Sequence, residues 1–215
     1  MSAPVPPDTE AMRYLALGDS YTLGEQVGAW ESWPVQLAAL LRRRGVPAAA
    51  PQIIARTGWT TLDLSAGLDR TAPSGRFDLV SLLIGVNDQY RGGSPDEYRP
   101  RFRALLQRAV ACAGGEPGRV VVLSIPDWGA TPFAQGRDRA KIAAEIDSFN
   151  AVSREETERA GARYVDITPA SRAAGRMEPE PPAAPDGLHP SAAIHAEWAR
   201  LALPQALAAL GRDGP

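Results

Sequence analysis

The chain alternates short apolar runs with longer amphipathic ones. Five runs, at 14–17, 52–55, 79–84, 120–125 and 163–166, read as buried strands, and the third and fourth are nearly unbroken Val, Leu and Ile. Continuous hydrophobicity of this kind suits a parallel sheet covered on both faces. Between the runs lie helical periods with identifiable ends. Ser32 opens one that carries Leu37, Leu40 and Leu41 to Gly45, and Thr60 or Thr61 opens a short one through Leu64 and Leu68. Ser94-Pro95-Asp96-Glu97 combines an N-cap, a proline at the first helical position and a capping-box glutamate, which predicts a helix to about residue 113. Segments 139–160 and 191–210 complete the set, each followed by a glycine. Alternation of strand and helix predicts right-handed crossovers and a three-layer α/β/α sandwich. One domain over residues 13–211 is expected, preceded by a flexible segment 1–12, with no internal repeat.

Two segments resist this pattern. Residues 127–137 form a long loop after the fourth strand, with Trp128, Pro132 and Phe133. Residues 175–185 hold Pro179, Pro181, Pro182 and Pro185, and a proline run of that density is neither helix nor central strand. Both adjoin residues with candidate chemistry, so each reads equally as a surface connection or as a border of a site.

That chemistry falls at the ends of the predicted strands and before the last helix. Ser20 follows the first strand in Gly18-Asp19-Ser20, Gly58 follows the second, and Asn87 follows the third in Gly85-Val86-Asn87-Asp88. Gly18 allows a sharp turn there, and Asp88 is expected to secure the turn that holds Asn87. Asp186 and His189 stand three residues apart before the final helix, and the chain has only one other histidine, His195, which reads as a packing residue. A hydroxyl, an imidazole, a carboxylate to orient it and donors for developing negative charge make up the inventory of acyl transfer. In a turn, Asp186 can accept from Nδ1–H of His189 and leave Nε2 facing a hydroxyl. Each residue also has a plain reading: Ser20 as turn chemistry, Gly58 as a positive-φ glycine, Asn87 as a strand-end cap. Their common location at the carboxyl edge of one parallel sheet, where α/β ligand sites form, favours the catalytic reading.

Taken with their flanks and order, these segments resemble the SGNH (GDSL-type) hydrolase family, named for a Ser, a Gly, an Asn and a His. The first motif reads GDSY here, and Asp19 fits the pattern. The resemblance extends through Ser32-Trp33-Pro34 and residues 126–133, and so covers most of the chain. It implies a flavodoxin-like sheet of strand order 2-1-3-4-5 and a metal-free serine hydrolase that needs no cofactor. Ser20, Asp186 and His189 would be its triad, and Ser20, Gly58 and Asn87 its oxyanion hole. A serine esterase acting on a small-molecule ester is the expected function. An acyltransferase or thioesterase with the same residues, or a catalytically silent binding module, are the alternatives.

Composition narrows the field by exclusion. With 215 residues, 44% hydrophobic and 22% charged, the chain has the make-up of an ordinary globular domain. A net charge of −2 gives no electrostatic case for nucleic acid. The one basic cluster, Arg42-Arg43-Arg44, closes a helix, where cations complement the macrodipole. The single cysteine, Cys112, reads as a small core residue. No G-x-S-x-G, G-x-x-x-x-G-K-[ST] or G-x-G-x-x-G occurs, which disfavours α/β-hydrolase and nucleotide readings. No apolar run suits a secretory leader or a membrane span, so a cytoplasmic protein is expected. The pocket walls should come from 21–30, Trp59, 89–93 and 128–133, with at least one of Trp30, Trp59, Tyr90 and Trp128 near Ser20. Arg91, the one cation on these walls, is a candidate reader of an anionic substrate.

Overall fold

The computed structural model describes residues 11–174 and 186–212. Five strands, β1 (Tyr14–Gly18), β2 (Gln52–Ala55), β3 (Leu79–Leu83), β4 (Val120–Leu123) and β5 (Arg163–Val165), form one all-parallel sheet of order β2-β1-β3-β4-β5. The order and the α/β/α layering agree with the sequence reading. Strands three and four stop one or two residues short of the apolar runs, because Ile84 and Ile125 belong to the turns that leave the sheet. Every residue of β1, β3 and β4 is buried, which is why their sequences are continuous rather than alternating.

Five long helices cover the sheet. Of these, α2 (Trp33–Arg43) and α8 (Ala192–Ala209) pack on each other, while α3 (Thr61–Thr71), α5 (Pro95–Cys112) and α6 (Arg139–Arg159) form the other layer. Their starts are the predicted ones. Thr60 and Ser94 each close a reciprocal capping box, with Asp63 and Glu97 respectively, satisfying donors that a helix terminus leaves free. Arg42 and Arg43 occupy the last turn of α2, and Arg42 also donates to Ala48 O. Cys112 is half-buried and packs against the core. Three further helices, α1 (Ser20–Leu23), α4 (Val86–Tyr90) and α7 (Thr168–Ala174), have no counterpart in the sequence reading. Each is too short for a hydrophobic period to register. Met12, assigned to the leading segment, is buried and bridges Ala48, so it packs with the domain core. Residues 1–10 of that segment and the proline-rich stretch 175–185 lie outside the described residues.

Gly18 has a different role from the one its sequence suggested. Its φ is not positive; what it supplies is room. A Cβ there would stand 2.5 Å from Leu83 O and would overlap Thr22 Oγ1. Gly18→Ala is therefore expected to lower stability by about 1–3 kcal/mol through overpacking, measured by urea denaturation.

His195 is fully buried on α8, and its Nδ1 accepts from Trp33 N at 3.3 Å. Burial, reinforced by the nearby His189, pushes its pKa down to about 4. The unfolded imidazole takes up a proton near 6.5 and the folded one does not, so this contribution is complete above 6.5 and is lost as the pH falls through 4. His195→Asn keeps an acceptor near the Nδ1 position without a titrating proton. Its stability, followed by thermal unfolding from pH 7 to pH 4, should decline less than that of the parent.

Candidate active site

All four motifs converge at the carboxyl edge of the sheet. Ser20, at 5% exposure, is the first residue of α1 directly after β1, and Asp19 caps that helix by accepting from Tyr21 N at 3.0 Å. The first N–H groups of a helix have no intrahelical acceptor, so the Ser20 backbone N–H stays available beside its own hydroxyl. Asp19 is completely buried, and burial, opposed by its bond to Tyr21 N, pushes its pKa up to about 7.

Gly58 stands in the turn after β2 with φ +78, which fits its reading as a turn glycine. The positive φ calls for glycine, and its N–H donates to no protein group among the described residues. Short helix α4 and its C-cap residue Arg91 grip this turn with three side chains. Asn87 Nδ2 donates to Trp59 O at 3.0 Å, which fixes the amide and leaves its second N–H free. The Asp88 carboxylate accepts from Thr61 N at 2.9 Å and Thr61 Oγ1 at 2.7 Å. Arg91 donates to Gly58 O at 2.7 Å and pairs with Asp63 at 3.7 Å. Asp88 thus secures a turn, as expected, but it ties α4 to α3 rather than closing its own loop. Burial of that carboxyl raises its pKa, against the two bonds from Thr61.

Asp186 and His189 form a close polar contact, with His189 Nδ1 2.5 Å from Asp186 Oδ2. The second carboxylate oxygen accepts from Leu188 N at 2.9 Å and His189 N at 3.0 Å, so the turn is wound around the carboxylate. Partial burial raises the Asp186 pKa, but the imidazole and the two N–H groups together lower it further, and the net shift is downward. The carboxylate therefore stays ionised and holds the proton on Nδ1, which leaves Nε2 as the basic nitrogen. Gly187 O accepts from Phe133 N at 2.9 Å, docking the 127–137 loop on this turn.

A cavity of about 170 Å³ collects these groups, lined by Ser20, Gly58, Asn87 and His189 together with Tyr21, Thr57, Val86, Tyr90, Trp128, Phe133 and Leu188. No hydrogen bond between Ser20 Oγ and the imidazole is present among the described residues; such contacts are commonly loose without substrate. Tyr90 and Trp128 line the cavity as expected, with their ring centroids 5.3 Å apart in an edge-on contact. The other three wall residues do not. Trp30 is 75% exposed over the Gly28 backbone. The Trp59 indole is turned onto Gly67 of α3, so Trp59 reaches the site only through its carbonyl. Arg91 has its guanidinium engaged by Gly58 O and Asp63, which makes it a brace of the turn rather than a reader of substrate charge.

Two supports of the cavity escaped the sequence reading. Trp128 Nε1 donates to Gln89 Oε1 at 2.8 Å, and Gln89 in turn donates to Glu145 at 2.7 Å, which sets the tilt of the indole. Arg137 places its guanidinium 5.3–5.6 Å from the centroids of Tyr90, Trp128 and Phe133, stacking over the aromatic wall. No short motif marks either, since each depends on how separate elements meet.

The comparisons with known proteins agree with this architecture. The model of the GDSL-like lipase/acylhydrolase family matches residues 16–197. The chain belongs to that family, the SGNH/GDSL hydrolases, and is an esterase/lipase-type hydrolase. Among solved structures it is similar to Axe2, an acetylxylan esterase from Geobacillus stearothermophilus, with 21% identity, a TM-score of 0.69, and coverage of 91% of this chain and 94% of that one. TesA has 20% identity and a TM-score of 0.70, covering 90% and 97%. A GDSL-like lipase described as putative, from Parabacteroides merdae, has 20% identity and a TM-score of 0.70, covering 96% and 100%. At such identities the likeness establishes the fold. No curated protein sequence matches the chain. Among the described residues, no helix is long and apolar enough to cross a membrane.

Proposed function

We propose that the chain is a serine esterase that cleaves small carboxylic esters through Ser20, His189 and Asp186. The observation that carries this reading is the 2.5 Å Asp186–His189 pair facing the same cavity as Ser20, Gly58 and Asn87. His189 Nε2 takes the Ser20 proton as Oγ attacks the ester carbonyl carbon. Negative charge then gathers on the carbonyl oxygen, held by the Ser20 and Gly58 N–H groups and the free N–H of Asn87. Collapse of the tetrahedral intermediate breaks the bond to the alcohol, which leaves with the proton from His189. Water, deprotonated by the same imidazole, attacks the acyl-serine and releases the acid. Asp186 keeps the ring in the productive tautomer and stabilises the imidazolium. A nucleophile, a base and three donors within one small cavity support this sequence of steps, and no step calls for a metal or cofactor.

Ser20→Ala and His189→Ala are each expected to abolish most hydrolysis of p-nitrophenyl acetate, with the double variant hardly worse than either single one. Groups that act as one unit do not lose activity additively. Full turnover by Ser20→Ala would end the proposal. Partition of the acyl group between water and an added alcohol should favour water; dominant transfer to the alcohol would instead identify an acyltransferase.

Asn87→Ala should lower kcat by about 10²–10³ with a smaller change in KM, because its donor acts on charge present only in the transition state. The measurement is steady-state kinetics at constant pH. An unchanged kcat would make Asn87 solely a tie to Trp59 O.

A further inference from the structure

A second cavity, of about 30 Å³, lies beside the catalytic one, and three side chains line both: Tyr21, Trp128 and Leu188. Its other walls include Pro126, Ala130, Ile194 and Trp198, and it is largely apolar. Trp198 Nε1 is buried there without a hydrogen-bond partner, while two other polar neighbours are engaged within the protein. Asp127 accepts from Gly129 N and Arg172 Nε, both at 2.8 Å, and Ser171 Oγ donates to Thr168 O at 2.7 Å. The three shared side chains stand between this space and the catalytic cavity. The partition is therefore a thin wall between the reacting centre and apolar space.

From this arrangement, and resting on the esterase reading above, we infer that Leu188, with Tyr21 and Trp128, is the end wall of the acyl subsite and limits the enzyme to short acyl chains. The enclosed end suits the acyl group because of the order of events. The alcohol must depart to solvent while the acyl group stays on Ser20 until water arrives. The part of the substrate retained through both steps belongs in the interior, and the part released belongs at the mouth, where Tyr90 and Phe133 are partly exposed. Tyr21 follows the proposed nucleophile directly and Leu188 precedes the proposed base, so the wall is built from the catalytic turns themselves. Of the three, Leu188 has the fewest ties. Trp128 is fixed by Gln89, and Tyr21 packs its ring 6.0 Å from Trp198 and 5.6 Å from His189. Leu188 is half-buried and lines both cavities, so truncating it is expected to join them.

The test compares kcat/KM for p-nitrophenyl esters from acetate to octanoate. The parent should prefer the short esters, with kcat/KM falling once the chain reaches the wall. In Leu188→Ala the optimum should move to longer chains, with about a fourfold gain in the ratio of long to short for each additional methylene buried. Ile194→Trp, which fills the second cavity from α8, should cancel that shift in the Leu188→Ala background and leave the parent profile unchanged. Trp128→Phe thins the same wall from another element and should move the optimum in the same direction, whether or not Leu188→Ala folds well. A uniform loss across all chain lengths in both variants would make these residues packing or positioning groups and overturn the inference. So would a shift in the alcohol-length profile of alkyl acetates with no shift in the acyl profile. A parent that hydrolyses no ester in the series fails the esterase reading itself, whereas an active parent with an unmoved acyl profile in both variants fails only the partition.

Discussion

The parallel pairing of β1 between β2 and β3 is the constraint on which the rest of the molecule depends. It sends every strand out of the same edge, so the turns carrying Ser20, Gly58 and Asn87 meet although 67 residues separate the first from the last. The pairing is tight at its end. Gly18 pairs with both Ala55 and Leu83, and the space a side chain would need is taken by Leu83 O and Thr22. With no Cβ at Gly18, α1 can start at once, and Ser20 stands at its first turn and lines the cavity.

Strand ends bring these groups near one another; hydrogen bonds between turns set their final positions. Helix α4 and the residue that follows it hold the Gly58 turn at three points, through Asn87, Asp88 and Arg91. The turn 186–189 wraps on its own carboxylate and is tied to the 127–137 loop by Phe133 N to Gly187 O. That loop in turn supplies Trp128 and Phe133 to the cavity wall, with Arg137 stacked over them. A donor placed in advance by such contacts needs no reorganisation when charge develops, and this is what makes it effective in an enclosed site.

Much of this was legible in the sequence, for identifiable reasons. Buried parallel strands leave unbroken apolar runs, and capping boxes such as Ser94–Glu97 mark helix starts, so sheet order and layers followed from pattern and resemblance. The polar residues of the site were visible because their spacing around strand ends is local. Side-chain direction was not. Trp59 was the right position for the wrong reason: its backbone carbonyl serves the site while its ring covers Gly67. Arg91 looked like a free cation because its partners, Asp63 and Gly58 O, come from other elements. Short α1, α4 and α7 were missed because four to seven residues carry no measurable period. Leu188 attracted no notice, since one leucine between an aspartate and a histidine becomes a wall only when two cavities meet on it.

The central claim is that Ser20 is a nucleophile activated by His189. It is tested most directly by treating the folded chain with a fluorophosphonate ester and mapping the adduct by mass spectrometry. The account predicts a single phosphonylated peptide containing Ser20, formed far more slowly in His189→Ala. Labelling at another residue, or ester hydrolysis that continues undiminished after Ser20 is fully modified, would contradict it.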